Sequence, residues 1–132
     1  MMIRFFLKSL FIMLIAGIVF SCSTEEEVVV TPPPGSTALS LPANNEACES
    51  GQGSSASTAT VSFNWSAATN ATAYDLSVTN MSTNAVSTKN DLTGTSTTLD
   101  LERGQAYSWK VTSKNDSSST ADSATWKFYL AG

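Results

Sequence analysis

Histidine is missing altogether. Imidazole general bases, Ser-His-Asp and Cys-His arrangements and histidine metal sites go with it. A carboxylate pair is the one simple catalytic option left. Cysteine is nearly missing: Cys22 and Cys48 stand alone, so committing either one elsewhere removes any internal disulfide. Charge is thin. Lys, Arg, Asp and Glu make up 14% of the chain, where about a quarter is usual, and Ser, Thr, Asn and Ala fill the difference. Short polar side chains of this kind suit the solvent face of a strand. Positive charge is scarcest, with 7 basic residues against 11 acidic ones. The net −4 repels a phosphate backbone and argues against nucleic acid as a partner. The chain's 132 residues hold one domain at most.

What is present begins with an address. Arg4 and Lys8 open the chain, an apolar run from Leu10 to Phe20 follows, and Ser21-Cys22 closes it. That order is the one used by secretory signals. The run is about half of the roughly 20 residues that span a bilayer, which disfavours a permanent membrane helix. Residues 1–21 are therefore read as a signal peptide. Without Arg4 and Lys8 the balance becomes 5 − 11 = −6.

The junction Val19-Phe20-Ser21-Cys22 resembles the lipobox of bacterial lipoproteins, with Val19 and Phe20 standing where Leu and a small residue are usual. The resemblance implies a diacylglyceryl group on Cys22 and cleavage just before it; the alternative is an ordinary signal with a chance cysteine. Glu25, Glu26 and Glu27 follow at once. An acidic run here resembles the surface-export signal of certain Gram-negative lipoproteins, the alternative being a solvated, self-repelling linker. Pro32 to Pro34 favour an extended spacer. Residues 22–36 thus read as a lipidated acidic and proline-rich tether, and residues 37–132 as the domain.

Seven segments of that domain alternate with the period of half-buried strands: 38–41, 60–65, 73–79, 85–89, 97–101, 106–112 and 124–130. The inward set is Val61, Phe63, Trp65, Tyr74, Leu76, Val78, Leu99, Leu101, Tyr107, Trp109, Val111, Trp126, Phe128 and Leu130. Asn44-Asn45, Gly51-Gln-Gly53, Asn80, Asn84, Asn90-Asp91, Gly94, Gly104 and Asn115-Asp116 punctuate the intervals. Beyond the first 21 residues nothing has helical period and useful length. Seven short strands with turns between them predict an all-β sandwich.

Trp65, Tyr74 and the stretch Leu101-Glu-Arg-Gly-Gln-Ala-Tyr107 carry a resemblance to the fibronectin type III domain. Arg103 stands where that family usually has Pro. The resemblance spans about Ser36 to Leu130. It implies an immunoglobulin-like seven-stranded β-sandwich in which the Tyr107 hydroxyl bonds back to nearby backbone. Pro42-Ala-Asn-Asn-x-x-Cys48 also resembles domains of surface lipoproteins from gut and marine Gram-negative bacteria.

Candidates for chemistry are few. Asp100 and Glu102, two apart on a strand, fall on one outer face; they are weak both as a catalytic pair and, with Asp116 or Asp122, as a calcium site, because no Asp-x-Asn-x-Asp-Gly loop is present. Cys48 reads as a small hydrophobe under a loop, with an intermolecular disulfide as the alternative. Trp109 and Trp126 could stack on sugars, but their phase points to the core. Tyr129, with Thr125 and Lys127, takes the outer face of the last segment, as a contact residue or an ordinary exposed tyrosine. Asp122-Ser123-Ala124 resembles an O-glycosylation acceptor. No cofactor and no metal is expected.

The expectation is an outer-membrane, lipid-anchored protein, exposed at the cell surface and held by Cys22. It would carry one non-catalytic fibronectin type III-like recognition or adhesion module for an extracellular protein or glycan. The alternative is a structural spacer or accessory subunit of an envelope complex, for nutrient uptake or polysaccharide binding.

Overall fold

The computed structural model describes residues 27–48, 52–53 and 55–132. The signal segment, Cys22, Glu25 and Glu26 lie outside those residues; Glu27 lies inside them and is exposed. Every regular element described is a strand: β1 Leu39–Leu41, β2 Glu46–Cys48, β3 Gln52–Gly53, β4 Thr58–Trp65, β5 Ala73–Asn80, β6 Val86–Leu92, β7 Ser96–Glu102, β8 Gln105–Lys114, β9 Thr120–Asp122 and β10 Trp126–Leu130.

Alternation decides which side of each strand is dry. Along β4, Ala59, Val61, Phe63 and Trp65 are buried; along β5, Tyr74, Leu76 and Val78; along β8, Tyr107, Trp109 and Val111. These sides face one another across two sheets. One sheet holds β1, β3, β4 and β7, and the other holds β2, β10, β8, β5 and β6 with β9. Strand β7 takes one whole edge of β4, from Thr58↔Glu102 to Asn64↔Ser96. The other edge of β4 is shared, with β1 at the Trp65 end and β3 at the Ala59 end. In the larger sheet β8 is central, bonded to β5 along one side and to β9 and β10 along the other.

The aromatic side chains lock the layers. Phe63, from the smaller sheet, meets Trp109 edge-on at 5.1 Å and Phe128 at 5.9 Å, both from the larger sheet. Tyr107 stacks on Phe128 at 5.5 Å, and Trp65 meets Tyr74 at 5.8 Å. Each fully buried side chain of this size contributes about 1.5–3 kcal/mol through lost apolar surface.

Among the described residues ten strands stand where seven were expected. After β1 and Pro42 the chain changes sheets, and Glu46–Cys48 runs parallel to β10. Three residues of mixed polarity carry no period that could announce this strand. Strand β3 is a two-residue return onto β4. The expected last strand, 124–130, is shorter at its start, and β9 precedes it on the same edge of β8. Between them the Ser123 hydroxyl accepts from Val111 N–H at 2.9 Å, standing in for a backbone carbonyl. Leu99, expected inward, is half-buried and packs against the core from the edge strand β7.

Asn45 and Asn84 adopt φ of 62° and 60° in their turns, which Asn tolerates through local side-chain bonding. Asn90-Asp91, expected between strands, lies instead inside β6, where Asp91 takes φ 56° at an irregularity in the pairing with β5 and its N–H donates to Asp75 Oδ1 at 2.9 Å. Gly104 takes φ 71° in the turn between β7 and β8. There the Tyr107 hydroxyl donates to the Glu102 carbonyl at 2.9 Å, the bond anticipated from the sequence. Tyr107→Phe leaves that carbonyl without its partner; we expect a loss of about 1 kcal/mol and a fall in Tm of about 4–8 °C, read by thermal unfolding against wild type.

Candidate recognition face

Paired residues on neighbouring strands share a face, so register alone lays out the outer surface of the larger sheet. A first row is apolar. Met81 N–H donates to Ala106 O at 2.9 Å, continuing the β5–β8 ladder beyond Asn80. Ala106 pairs with Tyr129, and Tyr129 pairs with Ala47. Met81 and Tyr129 are 44% and 47% exposed, so two large apolar side chains stand in solvent with only an alanine between them. The second row is Val86, Thr79, Ser108 and Lys127. The third is Thr88, Ser77 and Lys110, and the fourth Asp75, Thr112 and Asp122. A shallow depression of about 220 Å³ opens on this surface, lined by Ser77, Thr79, Ser108, Trp109, Lys110 and Thr125.

Tyr129 is the one aromatic ring from Phe63 onward that lies on an outer face; the others are in the core or packed against it. Trp109 is fully buried and Trp126 meets it edge-on at 6.3 Å, which places both among the core side chains rather than on the surface. Lys127 sits two residues before Tyr129 on the same side of β10, opposite Ser108 in the wall of the depression. Among the described residues it has no carboxylate partner. The neighbouring cations differ. Lys110 pairs with Asp122 at 2.7 Å, and Lys114 is held by Asp75 and Asp91, each at 2.7 Å. Its bonds to Asp75 first, then to Asp91, push the Lys114 ammonium above its usual range. The bonds from Lys110 and Thr112 hold the Asp122 carboxyl below the usual carboxylate range.

The opposite surface has another character. Thr60, Ser62 and Asn64 of β4 pair with Asp100, Thr98 and Ser96 of β7. Asp100 and Glu102 are exposed on this open sheet, and Thr60 donates to Asp100. The two carboxylates stand in solvent beside the hydroxyl side chains of Thr58 and Thr60 on β4.

The free edge at β6 is guarded. Strand β6 is bonded on one side only, and Lys89, paired with inward-facing Leu76, sends its Nζ across to Thr97 Oγ1 of β7 at 3.4 Å. Asp91, at positive φ, lies within a register shift on the same strand. A charge turned toward the sandwich interior and an irregular end both discourage a further strand from adding there.

Cys48 is half-buried in β2 and packs against the core, rather than lying under a loop. Burial first, then the nearby Glu46 carboxylate, pushes its thiol up and away from the reactive thiolate. Ser123, within the glycosylation-like tripeptide, has its hydroxyl committed twice, accepting from Val111 N–H and donating to Ala124 O at 2.8 Å.

At the far end, the last residues of the expected tether are docked on the domain. Pro34 is buried, and Gly35 N–H donates to Thr69 O at 2.8 Å. The Asn115 side-chain amide donates to Pro32 O at 2.8 Å and to Asn70 O at 2.7 Å, while the Asn70 amide donates to Pro33 O at 3.3 Å. The arrangement is a clamp of two asparagine amides on a proline run that has few donors of its own.

No known protein-family model matches the chain, and no curated protein matches it. The face described above therefore rests on its own geometry. Phase along β10 located Tyr129 and Lys127 on one side. Sequence gave no signal that Ala47, Ala106 and Met81 complete their row, because that depends on which strands lie side by side.

Two outcomes follow. A carboxyl held low in the folded state stabilises the fold above its unfolded value, near 3.8, and that contribution fades as pH falls through the folded value. Asp122→Asn should therefore lower the urea midpoint at pH 6, and the gap to wild type should narrow toward pH 3. Cys48 should react with iodoacetamide more slowly in the folded protein than in the urea-unfolded chain; equal rates would remove the protection ascribed to burial.

Proposed function

We propose that this chain is an outer-membrane lipoprotein, anchored through Cys22 and exposed at the cell surface. In this reading it presents a single non-catalytic module of the immunoglobulin-like, fibronectin type III kind for recognition or adhesion. The observation that carries the recognition role is the outer face of the larger sheet. Tyr129 and Met81 stand exposed there, beside a hydroxyl-walled depression and a lysine without a carboxylate partner among the described residues. Binding surfaces are enriched in Tyr and Met, and here the two stand exposed in one row. The fibronectin type III assignment is supported by the Tyr107 corner bond and by the division of strands between the sheets. It remains an analogy of fold and does not by itself supply a ligand.

The clamp at Pro32–Gly35 gives the anchor a geometric consequence. The ten steps from Cys22 to Pro32 reach at most about 35 Å when fully extended. The clamp sits beside the β4–β5 and β8–β9 turns, so those turns would lie toward the membrane. The face bearing Tyr129 and Lys127 would stand along the side of the domain, and its Tyr129 end would be the distal one. Two or more acyl chains hold a protein firmly, each buried CH₂ contributing about 0.8 kcal/mol.

Cells fed radiolabelled palmitate should label the wild-type chain and fail to label Cys22→Ser. Protease added to intact cells should degrade the domain of the wild type. A labelled Cys22→Ser chain would overturn the anchor, and full protection from protease in intact cells would overturn surface exposure.

A further inference from the structure

We propose that the Tyr129 face binds a carboxylated sugar chain, an inference that rests on the recognition reading above and names its ligand class. The first row supplies an apolar platform. The ring of Tyr129 is flanked on both sides by Ala106 and Ala47, whose methyl groups leave it accessible, and Met81 forms the far wall. A pyranose presents a comparable apolar side made of its C–H groups, and an aromatic ring offers apolar area at low conformational cost.

The adjoining rows supply the polar half. Ser108, Thr79, Ser77 and Thr125 line the depression with hydroxyl groups, each able to donate and to accept. That is the reciprocal of a sugar's own hydroxyls, which also do both. The volume of about 220 Å³ is below the roughly 300–1,000 Å³ of pockets that enclose a drug-sized molecule, so it suits one sugar unit of a chain lying across the sheet.

Charge selects the acid. Past residue 21 the chain is net negative, with 5 basic residues against 11 acidic ones, and would repel an anionic ligand at most of its surface. Lys127 is the exception on this face. Lys110 and Lys114 are already paired with aspartates, and Lys127 has no such partner among the described residues. Lys127 and Tyr129 are two residues apart on one side of a strand, about 7 Å. That spacing lets one sugar ring rest on the tyrosine while a carboxylate on it or its neighbour reaches the ammonium. A protein partner fits this surface less well. Stable protein interfaces bury about 800 Å² on each side around an apolar centre, and here a single apolar row gives way to hydroxyls within one strand spacing. The backbone groups of β8 and β10 are spent within the sheet, so strand addition is closed to them.

The full-length chain, purified in detergent, is titrated calorimetrically with tetragalacturonate and with its neutral methyl ester. The acid should bind and the ester should bind several-fold more weakly. Tyr129→Ala should weaken binding of the acid by about tenfold. Lys127→Gln should weaken it by about threefold at low salt, and should flatten the salt dependence and erase the preference over the ester. Thr98→Ala, on the opposite sheet, should change nothing. Near-ultraviolet circular dichroism confirms the fold of each variant. Equal binding of acid and ester, an equal effect of Thr98→Ala, or no binding of either sugar overturns the proposal, as does capture of a protein partner that Tyr129→Ala abolishes. The anchor is read separately. Palmitate labelling without galacturonate binding removes this site and leaves the lipoprotein standing, and binding without labelling does the reverse.

Discussion

Phe63 wedges between Trp109 and Phe128, and this contact couples the two sheets at their centre. All three rings are buried to 2% exposure or less, and the flanking pairs Tyr107–Phe128 and Trp65–Tyr74 continue the seam outward. No disulfide crosses the sheets in this domain, whose one cysteine is free. Cohesion therefore depends on close-packed aromatic area, where losing a ring leaves a cavity as well as exposed surface. The remaining features of the molecule are arranged around that seam. Backbone hydrogen bonds set the spacing of strands within each sheet, and the rings fill the space between the sheets.

A seam of this kind has boundaries, and each is closed by a different device. At the turn between β7 and β8, the Tyr107 hydroxyl ties side chain to backbone. At the β6 side, Lys89 bridges to Thr97. At the β10 side, Ser123 takes the place of a carbonyl between two short strands, and Cys48 fills space from β2. At the clamp end, the amides of Asn70 and Asn115 supply donors to carbonyls of the proline run. Proline brings no N–H, so its carbonyls need donors from elsewhere. Asparagine, with two amide hydrogens, can satisfy more than one of them at once.

The surfaces left over are unequal. The smaller sheet shows exposed Thr, Ser, Asn, Asp and Glu, with Thr60 donating to Asp100 across the β4–β7 pair. The larger sheet gathers Lys110, Lys114 and Lys127 on its outer face together with the one outward aromatic ring. Two of those lysines are already balanced by aspartates. The imbalance that remains, an ammonium and a phenol on one stretch of β10, is small, but it is held on a rigid ladder. A rigid support gives such a pair a fixed spacing, which is what selective binding needs.

Strict alternation made much of this legible in the chain. The inward residues of β4, β5, β8 and β10 followed from period two, because a slip by one position would turn every apolar side chain into water. The turns at Asn45, Asn84 and Gly104 followed from the few residues that tolerate positive φ, whereas Asn90-Asp91, of the same residue types, proved to be an irregularity inside β6. The Tyr107 bond was implied by the resemblance of Leu101 to Tyr107 to a fibronectin type III segment. The sheet change after Pro42, the short strands β2, β3 and β9, and the docking of Pro32–Gly35 were not legible. Each is fixed by hydrogen bonds to distant segments, and two or three residues carry too little pattern to declare a partner. The sequence by itself therefore determined which side of each long strand is dry, because burial acts residue by residue along one chain. Tertiary structure alone decided that Met81, Ala106, Tyr129 and Ala47 form one row beside Lys127, because adjacency across strands is a property of pairing between segments that the linear order does not contain.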